Sequence, residues 1–246
     1  VKVYDGERLI RTLKYKTPDS AGLHRVYWNL DEAGPDRPSR SLRRRNRESG
    51  GVTVKPATYR VVIELGEARD ETQVTVKTDP RLDLDLQTLE ARYNMSKKLD
   101  GYTQAAADAV KQLLESKKIA GQYQKDLKEK DKDAYKEQIE ASKEISKEID
   151  SLLAIYLGKV DKRQGITRNP EMTVMQRIYT AYGYVGSRPS GMTATEERLL
   201  RYAEADLREA LSGTNAFFAN RWKDYREEMA GLDLSPFKEI KTLKLE

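Results

Sequence analysis

At Asp79-Pro80-Arg81 the hydrophobic period of this chain changes. Before that point apolar residues alternate every second position; after it they recur every three or four for most of the remaining length. Alternation marks half-buried strands and the longer repeat marks amphipathic helices. Strands followed by helices, without interleaving, predict segregated modules. The expected class is α+β, with an antiparallel β-sandwich over residues 1–79 and an antiparallel helical bundle of about four helices over 80–246, ending in a short extended tail.

In the first half, Val1 and Val3 open an alternating segment that turns at Asp5-Gly6, with residues 8–14 as the returning strand. Residues 23–30 read as the next strand, with Val26, Trp28 and Leu30 on one face. Residues 58–65 place Tyr59, Val61, Ile63 and Leu65 together, and 71–77 add Val74 and Val76. Five short strands with turn punctuation predict a small sandwich. Trp28 is read as the centre of its core rather than as a sugar-stacking platform.

In the second half, Asp85 is expected to cap a helix starting near Leu86. Its stripe runs from Leu89 and Tyr93 through Leu99, Tyr102, Ala106, Val110, Leu113 and Leu114 towards Leu127. The charged run 128–133 reads as a reversal. A second helix over about 134–157 carries Ile139, Ser142, Ile145, Ile149, Leu152 and Tyr156, the seam of an antiparallel helical hairpin or coiled coil. A shorter third helix is expected over about 171–185. Thr193 and Glu196 form a capping box for one long fourth helix whose stripe reaches Met229. Tyrosines at helical spacing are read as core, and the Lys/Glu face of the second helix as solvated surface.

The composition narrows the function classes. Charged residues make up 35% and apolar ones 38%, a balance suited to long solvent-washed helices. With no cysteine, disulfides and thiolate metal sites are excluded, while the compartment stays open. No run approaches the roughly 18 apolar residues of a membrane span. Val1 already lies inside a strand-like segment, so a fragment or mature piece of a longer protein is expected. The net charge of +5 is concentrated in one connection, where Arg37, Arg40, Arg43, Arg44, Arg45 and Arg47 stand between Asp36 and Glu48. No aromatic residue interleaves these arginines, which argues against nucleic acid. The readings left are a solvated loop pairing with acids of a neighbouring module, a protein contact, and an anionic surface attracted by about 1 kcal/mol per arginine.

No catalytic constellation stands out. Forty acids guarantee chance carboxylate pairs, so abundance carries no weight for glycoside hydrolysis. His24 is the sole histidine and falls in an expected strand. Asp83 and Asp85 lack the third acid and glycine of a calcium loop. No nucleophile elbow or P-loop is present. Neither catalytic residues nor a cofactor or metal is therefore assigned.

Val3-Tyr4-Asp5-Gly6, residues 9–13, 22–31 and Ala57-Thr58-Tyr59-Arg60-Val61 resemble the Ig-like domain of flagellar hook-capping proteins and of many bacterial surface proteins. Ala57 stands where that family usually has the turn glycine. Family members commonly carry one further strand ahead of the first strand here, which implies an uncovered sheet edge. Together with Tyr27-Trp28-Asn29-Leu30, residues 76–81, Tyr182-Gly183-Tyr184-Val185 and the Thr193 helix start, the whole chain resembles the C-terminal region of secreted bacterial sortilin/neuraminidase-repeat (Asp-box) propeller proteins, often labelled glycosyl hydrolase. No Asp-box signature occurs in this chain. The resemblance implies an extracytoplasmic module that packs against a propeller domain or a sister subunit. The alternative is a carbohydrate-binding accessory module using Tyr4, Tyr15 or Tyr27 as its platform.

Overall fold

The computed structural model describes residues 1–42, 47–82, 84–160, 171–187 and 191–232. Arg43, Arg44, Arg45, Asp83 and the expected C-terminal tail lie outside the described residues. The chain is α+β: six strands come first and five helices follow among the described residues.

Strands β1 (Lys2–Asp5) and β2 (Arg8–Thr12) form the expected hairpin. Strands β5 (Ala57–Leu65) and β6 (Ala68–Val76) form a second one. Both turn through Gly-Glu, and Gly6 and Gly66 take φ of 57° and 59°, a region that side chains disfavour. The four strands make one antiparallel sheet in the order β2-β1-β5-β6. Pairing shifts register between Val3 and Tyr4, leaving Ile10 as an extra residue in β2. That bulge turns both Ile10 and Arg11 inward. Val3, Ile10, Val54, Tyr59 and Val61 form the sheet core, with Trp28, Val74 and Val76 partly buried against it.

Two sequence expectations fail in this half. Residues 23–30 are an irregular connection, not a strand, and His24 is exposed within it, its Nε2 2.9 Å from the Ser20 carbonyl. The run is broken at Leu30, whose φ of 55° no β-strand residue adopts. The strand formed instead is β3 (Asp31–Ala33), paired with β4 (Gly50–Thr53), which the alternation pattern missed. Glycines make that ribbon possible, because a Cβ on Gly51 would sit 2.6 Å from the Gly34 Cα. Trp28 lies at the rim of the sheet core rather than at its centre. Its ring meets Tyr59 edge-on at 5.5 Å, and its Nε1 donates to the Asp31 carbonyl at 2.8 Å.

The helical half follows the sequence closely. Helix α1 (Leu86–Asp131) runs 46 residues, about 69 Å at 1.5 Å per residue, and Asp85 accepts from the Thr88 amide at 2.7 Å. After a short reversal, α2 (Lys136–Leu157) returns along it. Helix α3 (Val174–Ser187) and helix α4 (Ala194–Ala219), with its Thr193/Glu196 capping box, complete a shared core around Leu99, Leu113, Ile149, Leu153, Tyr156 and Ile178. The expected single fourth helix is instead two. Asn220, at φ −116° and ψ −87°, separates α4 from α5 (Arg221–Ala230), and its side-chain amide donates to the Ala216 carbonyl at 2.9 Å. Beyond the break Trp222 lies tilted against Phe217 and edge-on to Phe218, and the Tyr225 hydroxyl meets Ser142 Oγ at 2.9 Å.

Trp28→Ala is expected to destabilise by about 2 kcal/mol, below the 3–5 kcal/mol of a fully buried tryptophan. Leu113→Ala, at a site with no solvent exposure, is expected to cost about 3–5 kcal/mol. Urea melts ranking the two the other way would contradict this placement of the cores.

Candidate functional site: the junction of sheet and helices

The first turns of α1 pass over the sheet half, and the polar chemistry of the molecule collects there. Glu32, in the middle of β3, is 4% exposed. Its Oε1 accepts from Arg8 at 3.0 Å and from the Tyr93 hydroxyl at 2.6 Å. Its Oε2 accepts from Arg8 at 3.3 Å and from Lys97 Nζ at 3.1 Å. Arg8 belongs to β2, whereas Tyr93 and Lys97 lie one turn apart on α1, so one carboxylate joins two strands to the helix. Burial opposes its charge, but the hydrogen bonds from Arg8, Tyr93 and Lys97 outweigh that and hold the carboxyl below the ordinary Glu value. Lys55 reinforces the same junction, lying 3.2 Å from Glu90 and over the Tyr93 ring at 5.1 Å.

One turn beyond Lys97, Asp100 is 8% exposed. Its Oδ1 accepts from the Tyr182 hydroxyl of α3, and its Oδ2 has no hydrogen-bond donor, with Lys97 Nζ at 3.9 Å. Here burial prevails: the Asp100 carboxyl is pushed up, with Tyr182 and Lys97 opposing only in part. Burial and the Asp100 carboxylate together push the Tyr182 phenol well above its usual value. A third buried pair ties β2 to the ribbon. Arg11, 7% exposed, donates to the Ser49 carbonyl and lies 3.4 Å from Asp31, whose carboxyl is raised by burial.

The arginine-rich connection between β3 and β4 folds back over the helices. The Asp36 amide donates to Gln104 on α1 at 2.9 Å, and Arg40 donates to the Gly158 carbonyl at the C-terminus of α2. A cation there also complements the negative end of that helix. Arg37 is exposed and lines two cavities. One is a groove of about 820 Å³ between this connection, β2 and α1, lined by charges of both signs that include Lys14, Arg47, Lys111, Asp36, Glu48 and Asp108. The other, of about 270 Å³, is lined by Pro35, Arg37, Gly50, Gly51, Asp100, Thr103, Tyr179 and Tyr182.

The three candidate platform tyrosines part company. Tyr4 lies on the sheet face with the Arg60 guanidinium over its ring at 4.3 Å. Tyr15 and Tyr27 come together: the Tyr15 hydroxyl donates to the Tyr27 carbonyl and accepts from the Tyr27 amide at 3.1 Å. Of the six arginines, Arg37 and Arg40 sit at the junction, Arg47 borders the groove, and Arg43, Arg44 and Arg45 fall outside the described residues. Asp85 is occupied as the α1 cap. Among the described residues no group of three or more His, Asp or Glu side chains is arranged to hold a metal ion. No described helix is long and apolar enough to cross a membrane.

Sequence reasoning reads Tyr182 as a core tyrosine and does not single out Glu32, Lys97 or Asp100. One signal was present: Asp100 interrupts an apolar helical stripe directly after Leu99. A buried acid on such a stripe demands a partner. No protein-family model matches the chain, and no curated protein or solved structure gives a significant match.

Glu32→Gln is expected to destabilise by about 1.5–3 kcal/mol at neutral pH, the scale of hydrogen bonds to a charged group. Because the folded-state value of Glu32 lies below its unfolded one, the advantage over the variant is full above about 4.5 and shrinks as pH falls through the folded value. Parallel stability–pH curves for the two proteins would contradict the assignment.

Proposed function

We propose that this chain is a non-catalytic structural and interaction module of a larger extracytoplasmic bacterial protein. In this reading an Ig-like β-sandwich over 1–79 and a helical bundle over 80–246 act as one adaptor, packing against a β-propeller or a sister subunit. The observation that carries it is the connection ahead of β3. Tyr15, Leu23, Val26, Tyr27 and Leu30 are all exposed there, Leu23 completely. Their segment alternates like a strand, yet it has no ladder partner among the described residues. Apolar side chains gathered on an unpaired extended segment favour a surface that another protein covers. At the junction the Glu32 carboxylate is filled by Arg8, Tyr93 and Lys97, which supports a part that holds its shape.

A second reading, a carbohydrate-binding accessory module, is favoured by the Tyr15–Tyr27 pair, which is fixed through its hydrogen bonds and leaves both rings exposed. Hydrogen exchange separates the two. The adaptor reading expects amides of residues 14–30 to be protected at least tenfold more in the full-length protein than in this chain alone. Unchanged exchange, together with glycan-array binding that Tyr27→Ala abolishes, would replace it with the carbohydrate reading.

A further inference from the structure

The smaller junction cavity has a floor made of acceptors. Tyr182 gives its hydroxyl proton to Asp100, and Thr103 gives its own to the Leu99 carbonyl at 2.9 Å. Asp100 Oδ2 is buried and receives no hydrogen bond, and its nearest cation, Lys97, is already bonded to Glu32. Asp100, Tyr182 and Thr103 all line the cavity, and with both hydroxyl protons committed inside the protein that lining offers lone pairs. Whatever fills that floor must donate. A protonated primary amine carries three donors and no acceptor, which matches a carboxylate and two committed hydroxyls.

The wall is the reverse. Arg37 borders the cavity and makes no hydrogen bond or ion pair with another described residue, acting on Asp100 and Tyr182 only through its charge, and a guanidinium only donates. Its planar fork fits a carboxylate. One carboxylate and one guanidinium on the same lining favour a ligand that is neutral overall but carries opposite charges at its two ends. Gly50 and Gly51 contribute no side-chain bulk, and the Tyr179 ring stands exposed on the lining. At about 270 Å³ the space is smaller than a drug-sized site and suits a molecule of amino-acid size.

We propose that this cavity binds a small zwitterion of the free α-amino-acid class, with its ammonium on Asp100, Tyr182 and Thr103 and its carboxylate on Arg37. The proposal is independent of which macromolecule covers residues 14–30, since those residues do not line the cavity.

The test titrates the isotope-labelled 246-residue chain with a panel of free L-amino acids, reading the amides of Gly50, Gly51 and Thr103 by NMR. At least one amino acid is expected to shift them saturably. Its N-acetyl derivative and its carboxamide, each lacking one charge, are expected to bind about tenfold more weakly or worse, the loss of one charge-assisted hydrogen bond. Arg37→Gln is expected to weaken the free amino acid by a similar factor while leaving the carboxamide's affinity unchanged. Asp100→Asn is expected to do the same with the N-acetyl derivative as the indifferent ligand. Arg37 is exposed, so its variant keeps the test decisive even if the Asp100 variant fails to fold. No response to any amino acid, as when Arg37 turns inward to pair with Asp100, would overturn the proposal. So would derivatives that bind as well as the parent, or glucose binding with equal affinity.

Discussion

Glu32 must remain charged inside a junction that leaves it 4% exposed, and the sheet meets the helices on the terms that requirement sets. A buried carboxylate survives only when its lone pairs are filled. Here they are filled by Arg8 from the sheet and by Tyr93 and Lys97 from α1, so neither half alone provides the full set. The consequence is positional. With Lys97 drawn to Glu32, Asp100 on the next turn of α1 is carried to the edge of the ribbon, where the glycines of β4 leave room and Tyr182 of α3 reaches it. The cavity is thus a product of the junction, not of either half.

The β3–β4 connection continues the same logic. A loop carrying six arginines, left free, would extend into solvent through mutual repulsion. Instead Asp36 and Arg40 pin its first half to Gln104 and to the end of α2, leaving Arg37 beside the cavity. Arg11 anchors its far end through the Ser49 carbonyl. Of the described arginines in this connection, Arg40 binds the end of α2, while Arg37 and Arg47 border the cavities.

Much of the helical half was legible from short-range signals. The Asp85 cap, the Thr193/Glu196 box and the stripe of α2 depend on residues within a few turns, and they appear where the spacing puts them except that α2 buries Leu153 in place of Leu152. The α4–α5 break was not, because only the Asn220 backbone marks it inside an unbroken apolar stripe. In the sheet half, alternation measured the capacity to form a strand, not the presence of a neighbour. Residues 23–30 had the pattern without a ladder, while Gly50-Gly51-Val52-Thr53 had the ladder without the pattern. Of the named candidates, Arg37 reached a cavity and Tyr15 joined Tyr27. The acids that matter most stayed hidden, since their partners are remote: Tyr93 lies 61 residues from Glu32, and Tyr182 lies 82 from Asp100.

The central claim is that sheet and helices open as one unit because Glu32 binds them together. Native-state hydrogen exchange of the intact chain, followed with increasing denaturant, tests this most directly. The account predicts that amides of β1 and β5 share one opening free energy with those around Tyr93 to Lys97 on α1. If β5 opened at a distinctly lower free energy while that part of α1 stayed protected, the two halves would be separate bodies in contact, and the account would be wrong.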